Sequence, residues 1–200
     1  MNIILINGPP GVGKDTLGAM LENKIHSSKT VKFAGRLDAI ASIVLPFEVT
    51  NNYPLWREEK KDEPLPGTTT SMRQLLIAIS EDLIKPIFGR DYFGARAAEM
   101  IEYLYETGAC YTFIFTDSGF QCEYERLVKD LTETYDDVGF VLVNLHRKGH
   151  TFEGDSREWV KPLENTFNTT IFNDGSLADL EDTSDFIVQC IQNGDHRIEK

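Results

Sequence analysis

The chain reads as a three-layer α/β fold, a parallel sheet of about five strands with helices on both faces. Three observations give that reading. Short apolar or β-branched runs alternate with helical patterns along most of the sequence. The first run, "NIILIN" (2–7), is apolar on both of its faces, as a buried parallel strand is. A glycine-rich break follows that run directly and opens onto a helix.

The elements follow in order. Gly8, Pro9, Pro10, Gly11 and Gly13 end the first strand, and "KDTLGAMLENKI" carries Leu17, Met20, Leu21 and Ile25 at helical spacing. "TVKFA" (30–34) is a second short strand, and "GRLDAIASIVL" (35–45) is a helix stopped at Pro46. Residues 46–70 hold four prolines, the charged run "REEKKDEP" and "GTTTS", which predicts a long loop or irregular insertion. One helix is expected over 71–88 with Ser71 as its N-cap, and another over 91–106, capped by Asp91 and stopped at Gly108. "CYTFIFTD" (110–117) is the third strand, "QCEYERLVKDLTETY" a helix, and "GFVLVNLHR" (139–147) the fourth strand. Residues 148–162 are polar and turn-rich, "NTTIFND" (168–174) is the fifth strand, and "GSLADLEDTSDFIVQCIQN" the last helix, before a tail at 194–200 expected to fray. This organisation is one domain, 1–200, with insertions at 46–70 and 148–165.

Two hundred residues suffice for one cored domain. A net charge of −12 disfavours extended DNA or RNA binding, while leaving room for a local basic site that takes a small phosphate. Cys110, Cys122 and Cys190 form no even set and no C-x-x-C, which fits a reducing compartment. No run of about 18 apolar residues and no basic leader are present, so a cytoplasmic protein without membrane partners is expected.

The chemistry is concentrated in "GPPGVGKDT". Gly8, Gly11, Val12, Gly13 and Lys14 satisfy G-x-x-x-x-G-K in the strand–loop–helix setting that makes it a phosphate cradle. Amides of residues 10–16 would hold a β-phosphate, and Lys14 would reach the β and γ oxygens and follow the transferred group. Asp15 stands where Ser or Thr is usual, with Thr16 next. Asp15 would hold Mg2+, through water, or serve only as a charge cap on the helix's first turn; Thr16 is placed for an α-phosphate. Asp117, at the C-terminal end of the third strand, lies at the edge where such sheets bind ligands, or is simply a turn aspartate before Gly119.

"GPPGVGKDT" resembles the loop of nucleoside monophosphate kinases. With "SMRQLLIAISEDLIKPIFGRDYFGARA" (71–97), "FTDSGFQCEYERL" (115–127) and "IFNDGSLADL" (171–180), the chain resembles the deoxynucleoside monophosphate kinases of tailed bacteriophages. The insertions match poorly. The resemblance implies a P-loop kinase fold with a monophosphate-binding insertion (46–70) and a lid (148–165). It implies ATP and Mg2+ as cofactors, a deoxynucleoside 5′-monophosphate as partner, and, for a phage protein, the host cytoplasm. Many relatives pair through surface helices, so a homodimer is compatible with it.

Carried over by position, Arg73 would clamp the acceptor's phosphate, or pair with a neighbouring carboxylate. Arg90 and Asp91 would face the acceptor or cap the next helix. Asp117 would order magnesium-bound water or touch the acceptor. Arg147 and Arg157 flank the lid and would close over the phosphates, excluding water. Asn173 and Gly175 would border the adenine, chiefly through backbone, unless "NDGS" is only a turn with Ser176 or Asp174 as N-cap. Relatives tend to carry a basic residue shortly after the aspartate. This chain has Ser118 and Gly119, so another group, such as Arg126, would have to serve. Phe47, Tyr53 and Trp56 would stack on the acceptor base or anchor the insertion. Tyr92, Phe93, Tyr103 and Tyr105 read as helix packing. His26, His146, His150 and His196 show no metal spacing and read as surface residues. The competing readings are a kinase for a dephospho-coenzyme-A-like molecule or a hydroxymethylated base in DNA, and a nucleotide-binding regulator without turnover.

Overall fold

The structure, a computed structural model, describes residues 1–164 and 166–193. The chain gathers into two compact units, one of Met1–Phe33 with the chain from Phe93 onward, the other Ala34–Tyr92.

The first unit holds a five-stranded sheet made of β1 (Asn2–Asn7), β2 (Ser28–Val31), β3 (Thr112–Ser118), β4 (Gly139–His146) and β5 (Thr166–Phe172). The order is β2-β3-β1-β4-β5 and every pairing is parallel. Its helices are α1 (Lys14–Lys24), α7 (Tyr92–Glu106), α8 (Gln121–Thr134) and α9 (Leu177–Asn193). One face of the sheet buries Ile4, Ile6, Ile114, Val141 and Val143 against Leu17 and Leu21 of α1 and Leu180, Ile187 and Ile191 of α9. The opposite face is equally dry, because Ile3, Leu5, Phe113 and Phe115 are fully buried there. The Tyr124 hydroxyl of α8 meets the Thr166 hydroxyl at 2.6 Å on that side, and Gly94 sets the backbone of α7 against Glu123 of α8. The expected three layers are present. Burial on both faces explains why these strands are continuously apolar rather than alternating.

The strand ends fall a few residues from expectation. The second strand is 28–31 rather than 30–34, and the fifth is 166–172 rather than 168–174. Both differences follow the register, since Val31 pairs with Phe115, and Phe172 with His146, at the last rungs. One irregularity matters for the site. Leu5 pairs with Phe115 but Asn7 pairs with Ser118, so β3 carries one extra residue there. Such a bulge re-aims side chains, and here they are Thr116 and Asp117.

The second unit contains α2 (Gly35–Val44), α3 (Phe47–Thr50), α4 (Tyr53–Glu58), α5 (Met72–Ile77) and α6 (Lys85–Phe88). The irregular insertion expected over 46–70 is therefore corrected: it holds two short helices and an antiparallel bridge between Pro64 and Ser71. Ser71 caps α5 as expected, in a reciprocal capping box with Gln74. The single helix expected over 71–88 is corrected as well, because Ala78–Ile84 is a π-helix. Pro86 has no amide hydrogen to give. The widened turns run up to it, with Lys85 N donating to Ser80 O. Among the described residues no helix is long and apolar enough to cross a membrane.

Candidate phosphate-binding site

The loop after β1 is held in one shape from several directions. Gly11 (φ 79°) and Gly13 (φ 100°) have left-handed backbone that disfavours any side chain. Gly8 is buried so closely that a Cβ would stand 2.3 Å from the Leu145 carbonyl oxygen. Val12 is fully buried in the core. Gly13 caps α1, and no side chain caps its first turn, an arrangement suited to an anion.

Lys14 is buried and turns back over the loop, donating to the carbonyls of Gly8 and Pro9, each at 2.7 Å. Burial lowers its pKa to about 8, and the Arg157 guanidinium nearby pushes in the same direction; Asp15, Asp155 and Asp117 oppose both. A buried cation bonded only to carbonyl oxygens still has capacity for an anionic ligand.

The neighbouring strand ends supply the rest. Asp15 accepts from the Thr116 hydroxyl at 2.7 Å and lies 3.8 Å from the Lys32 ammonium, with its side chain 78% exposed. Its carboxylate stands in the first turn of α1, where the charge-cap alternative puts it. Thr16 is exposed on the first turn of α1. Asp117 accepts from the Phe33 amide at 3.0 Å. Arg157 forms a fork with Asp155, Nε to Oδ1 at 2.9 Å and Nη2 to Oδ2 at 2.7 Å. That bond raises the guanidinium's pKa, and Asp117 and Asp15 add to the effect. Lys14, Asp15, Asp117 and Arg157 are thus brought together within electrostatic reach of one another.

Three residues of this neighbourhood escape the sequence reading. Asn7 is fully buried, donates to the Ser118 and Glu158 carbonyls and accepts from the Val160 amide. His150 places Nδ1 2.8 Å from the Pro10 carbonyl, with its ring where a Cβ on Gly11 would be. His146 stacks on Trp159 at 4.1 Å, closing the two ends of the 147–158 segment on each other. His150 is exposed, as its surface assignment expects, while His146 is half-buried under Trp159, which corrects its assignment; His196 lies outside the described residues. The lone-histidine signal gave no warning, since the partners are a carbonyl and a ring distant in sequence.

Other expectations are redistributed. Asn173 donates through its side chain to Val12 O and through its backbone amide to His146 O, each at 2.8 Å. Gly175 packs against the Asp179 carboxylate, and Ser176 and Asp179 exchange capping bonds at the start of α9. Asp174 accepts from the Lys148 amide. Arg147 is exposed, and its carbonyl accepts from His150 N. Arg126 pairs with Asp130 on α8. Arg73, in the second unit, pairs with Asp62 at 2.6 Å, the alternative already open for it. There too Tyr53 donates to Asp38, Trp56 lies near the Lys60 ammonium, and Phe47 is exposed. Phe93 is buried as expected, but Tyr103 is 68% exposed, which corrects its packing role: it lies on the wet face of α7.

No family model matches the chain, and no curated protein sequence does. Among solved structures, it is similar to an unliganded sugar kinase from Janibacter sp. HTCC2649, with 14% identity, TM-score 0.48, and 94% of each chain covered. It is also similar to a gluconokinase from Sinorhizobium meliloti 1021, with 14% identity, TM-score 0.40, and 96% of this chain and 94% of that one covered.

Among the described residues no three His, Cys, Asp or Glu side chains gather to hold a metal by themselves. Asp15 and Asp117 offer two carboxylates beside the glycine loop. That set fits magnesium, which keeps several waters, takes one or two carboxylates and arrives with phosphate.

Proposed function

We propose that this chain is an ATP-dependent P-loop kinase that phosphorylates a deoxynucleoside 5′-monophosphate. The observation that carries the phosphoryl-transfer part is Lys14, folded onto its own glycine loop and sharing that place with Arg157. The acceptor is inferred from the resemblance of 71–97, 115–127 and 171–180 to phage deoxynucleoside monophosphate kinases.

In this reading the loop amides and the N-terminus of α1 bind the donor's β-phosphate. Lys14 exchanges its bonds to Gly8 and Pro9 for the β and γ oxygens. An oxygen of the acceptor's phosphate attacks the γ-phosphorus, the bond to the β–γ bridging oxygen breaks, and ADP leaves. Lys14 and Arg157 offset charge on the group in flight, as positioned cations do in phosphoryl transfer. Magnesium would supply positive charge that offsets part of the charge on the phosphates. Asp15 and Asp117 would hold it, through its waters. Arg73 would grip the acceptor's phosphate and Arg147 would close from the lid. Asn173 and Gly175 would border the adenine.

The test is ADP release with ATP, Mg2+ and each of dAMP, dCMP, dGMP, dTMP, dUMP, their hydroxymethyl forms and the ribonucleotides, with dephospho-coenzyme A and a short DNA as controls. Turnover on a deoxynucleotide is expected. Lys14→Ala should remove it while leaving the circular-dichroism spectrum unchanged, and undiminished turnover in that variant would sink the mechanism. Turnover on a control alone would reassign the acceptor.

A further inference from the structure

Gly119 follows the end of β3 and is buried. A Cβ placed on it would meet Cβ, Cγ and Cδ of Arg157 at 2.6, 2.7 and 2.9 Å. The stem of Arg157 thus lies in a notch that exists only because position 119 has no side chain. Its far end is set by the Asp155 fork, and Asp155 also accepts from the Arg157 amide at 3.0 Å. The backbone beyond is stitched down residue by residue. Glu158 N donates to Gly119 O, Glu158 O accepts from Asn7, Val160 N donates to Asn7, and Lys161 N donates to Gln121. Asn7 itself is fully buried on the central strand.

We infer that Arg157 is a fixed phosphate-binding arginine, seated before any ligand arrives, and that Gly119 and Asp155 are the positioning residues that set it. The inference rests on the kinase reading for the word phosphate, but not for the word fixed. It divides the expected lid: from Arg157 onward the segment belongs to the scaffold, so what closes over a ligand must come from the residues before it. It also gives position 119 a role. A side chain there, of any charge, would take the space the arginine stem now fills.

Two measurements on the full chain test this. The first is 15N relaxation of the Arg157 Nε–H group in the ligand-free protein. An order parameter near the rigid-backbone value of about 0.85 is expected, falling below about 0.6 in Gly119→Ala and in Asp155→Ala. A mobile Nε–H in the wild type overturns the fixed seat and leaves the kinase reading standing. The second is calorimetric binding of inorganic tripolyphosphate to the wild type, Gly119→Ala, Arg157→Ala and the double variant. Each single change should weaken binding about tenfold or more, and the double no further than Arg157→Ala alone, the sign of a shared route. Additive losses would mean that Gly119 acts through the backbone, not through Arg157. No binding by the wild type overturns the assignment of phosphate, and with it the kinase reading, whatever the relaxation shows.

Discussion

The ammonium group of Lys14 is buried beside a guanidinium, and both circumstances favour its neutral form. Its folded pKa of about 8 lies below the ordinary 10.5. Between those values the unfolded chain binds more protons than the folded one, so this group's contribution to stability rises with pH across that window. Below pH 8 both states are protonated and the full cost of burial applies. Wild type should therefore gain on Lys14→Met by roughly 2–3 kcal/mol between pH 8 and 10.5, read from urea unfolding of both proteins. A constant gap would show that the amine titrates normally. Lys14, Asp15 and Asp117 were legible in the sequence because spacing and strand ends announce them. Asn7, Gly119 and the side chain of Asn173 were not. Their partners are main-chain or stem atoms far along the chain (Asn7 and Glu158 are 151 positions apart), and no local pattern encodes such meetings.

At the scale of elements, two glycines in helices make opposite forecasts. Gly94 in α7 would place a Cβ 2.3 Å from the Glu123 carbonyl oxygen, a backbone atom that cannot step aside. Gly35, at the start of α2, has nothing within 4 Å. Alanine gains about 1 kcal/mol of helix propensity at an interior position. At 94 that gain is outweighed by forcing α7 off α8, and Gly94→Ala should lose about 1–3 kcal/mol net. Gly35→Ala should be neutral or slightly stabilising. Thermal unfolding of the pair decides it; equal behaviour would mean that α7 and α8 are not held at this separation. The strands and long helices were readable from period and punctuation. The two short helices within 46–70 were masked by prolines and charge, and the π-helix at Ala78–Ile84 has the same apolar spacing as the α-helix expected there.

Across the molecule, the net charge of −12 would face, in the proposed kinase, ligands that are themselves polyanions. The site does not compensate at a distance, because Lys14, Lys32 and Arg157 are matched by Asp15, Asp117 and Asp155. Attraction is thus confined to contact range. Raising the ionic strength from about 0.01 to 0.15 M shortens the Debye length from about 30 to 8 Å. The association rate constant for ATP should rise over that interval in stopped-flow measurements, the reverse of an enzyme that steers its substrate electrostatically. A falling rate would mean that the cations dominate the approach. Composition announced the charge; only the folded arrangement shows that the site's own charges cancel.

The stacking of His146 on Trp159 gives the protein an optical gauge of its own. The chain has two tryptophans, and they fall one in each compact unit, Trp56 and Trp159. With Trp56→Phe, all indole emission comes from a ring laid against an imidazole at the base of the 147–158 segment. Phe152, which precedes Arg157, meets that indole edge-on at 5.2 Å, so lifting the part of the segment before Arg157 changes the indole's surroundings while His146 stays stacked on it. Emission from one unlabelled residue therefore follows the opening of the segment in real time, without a dye and without turnover.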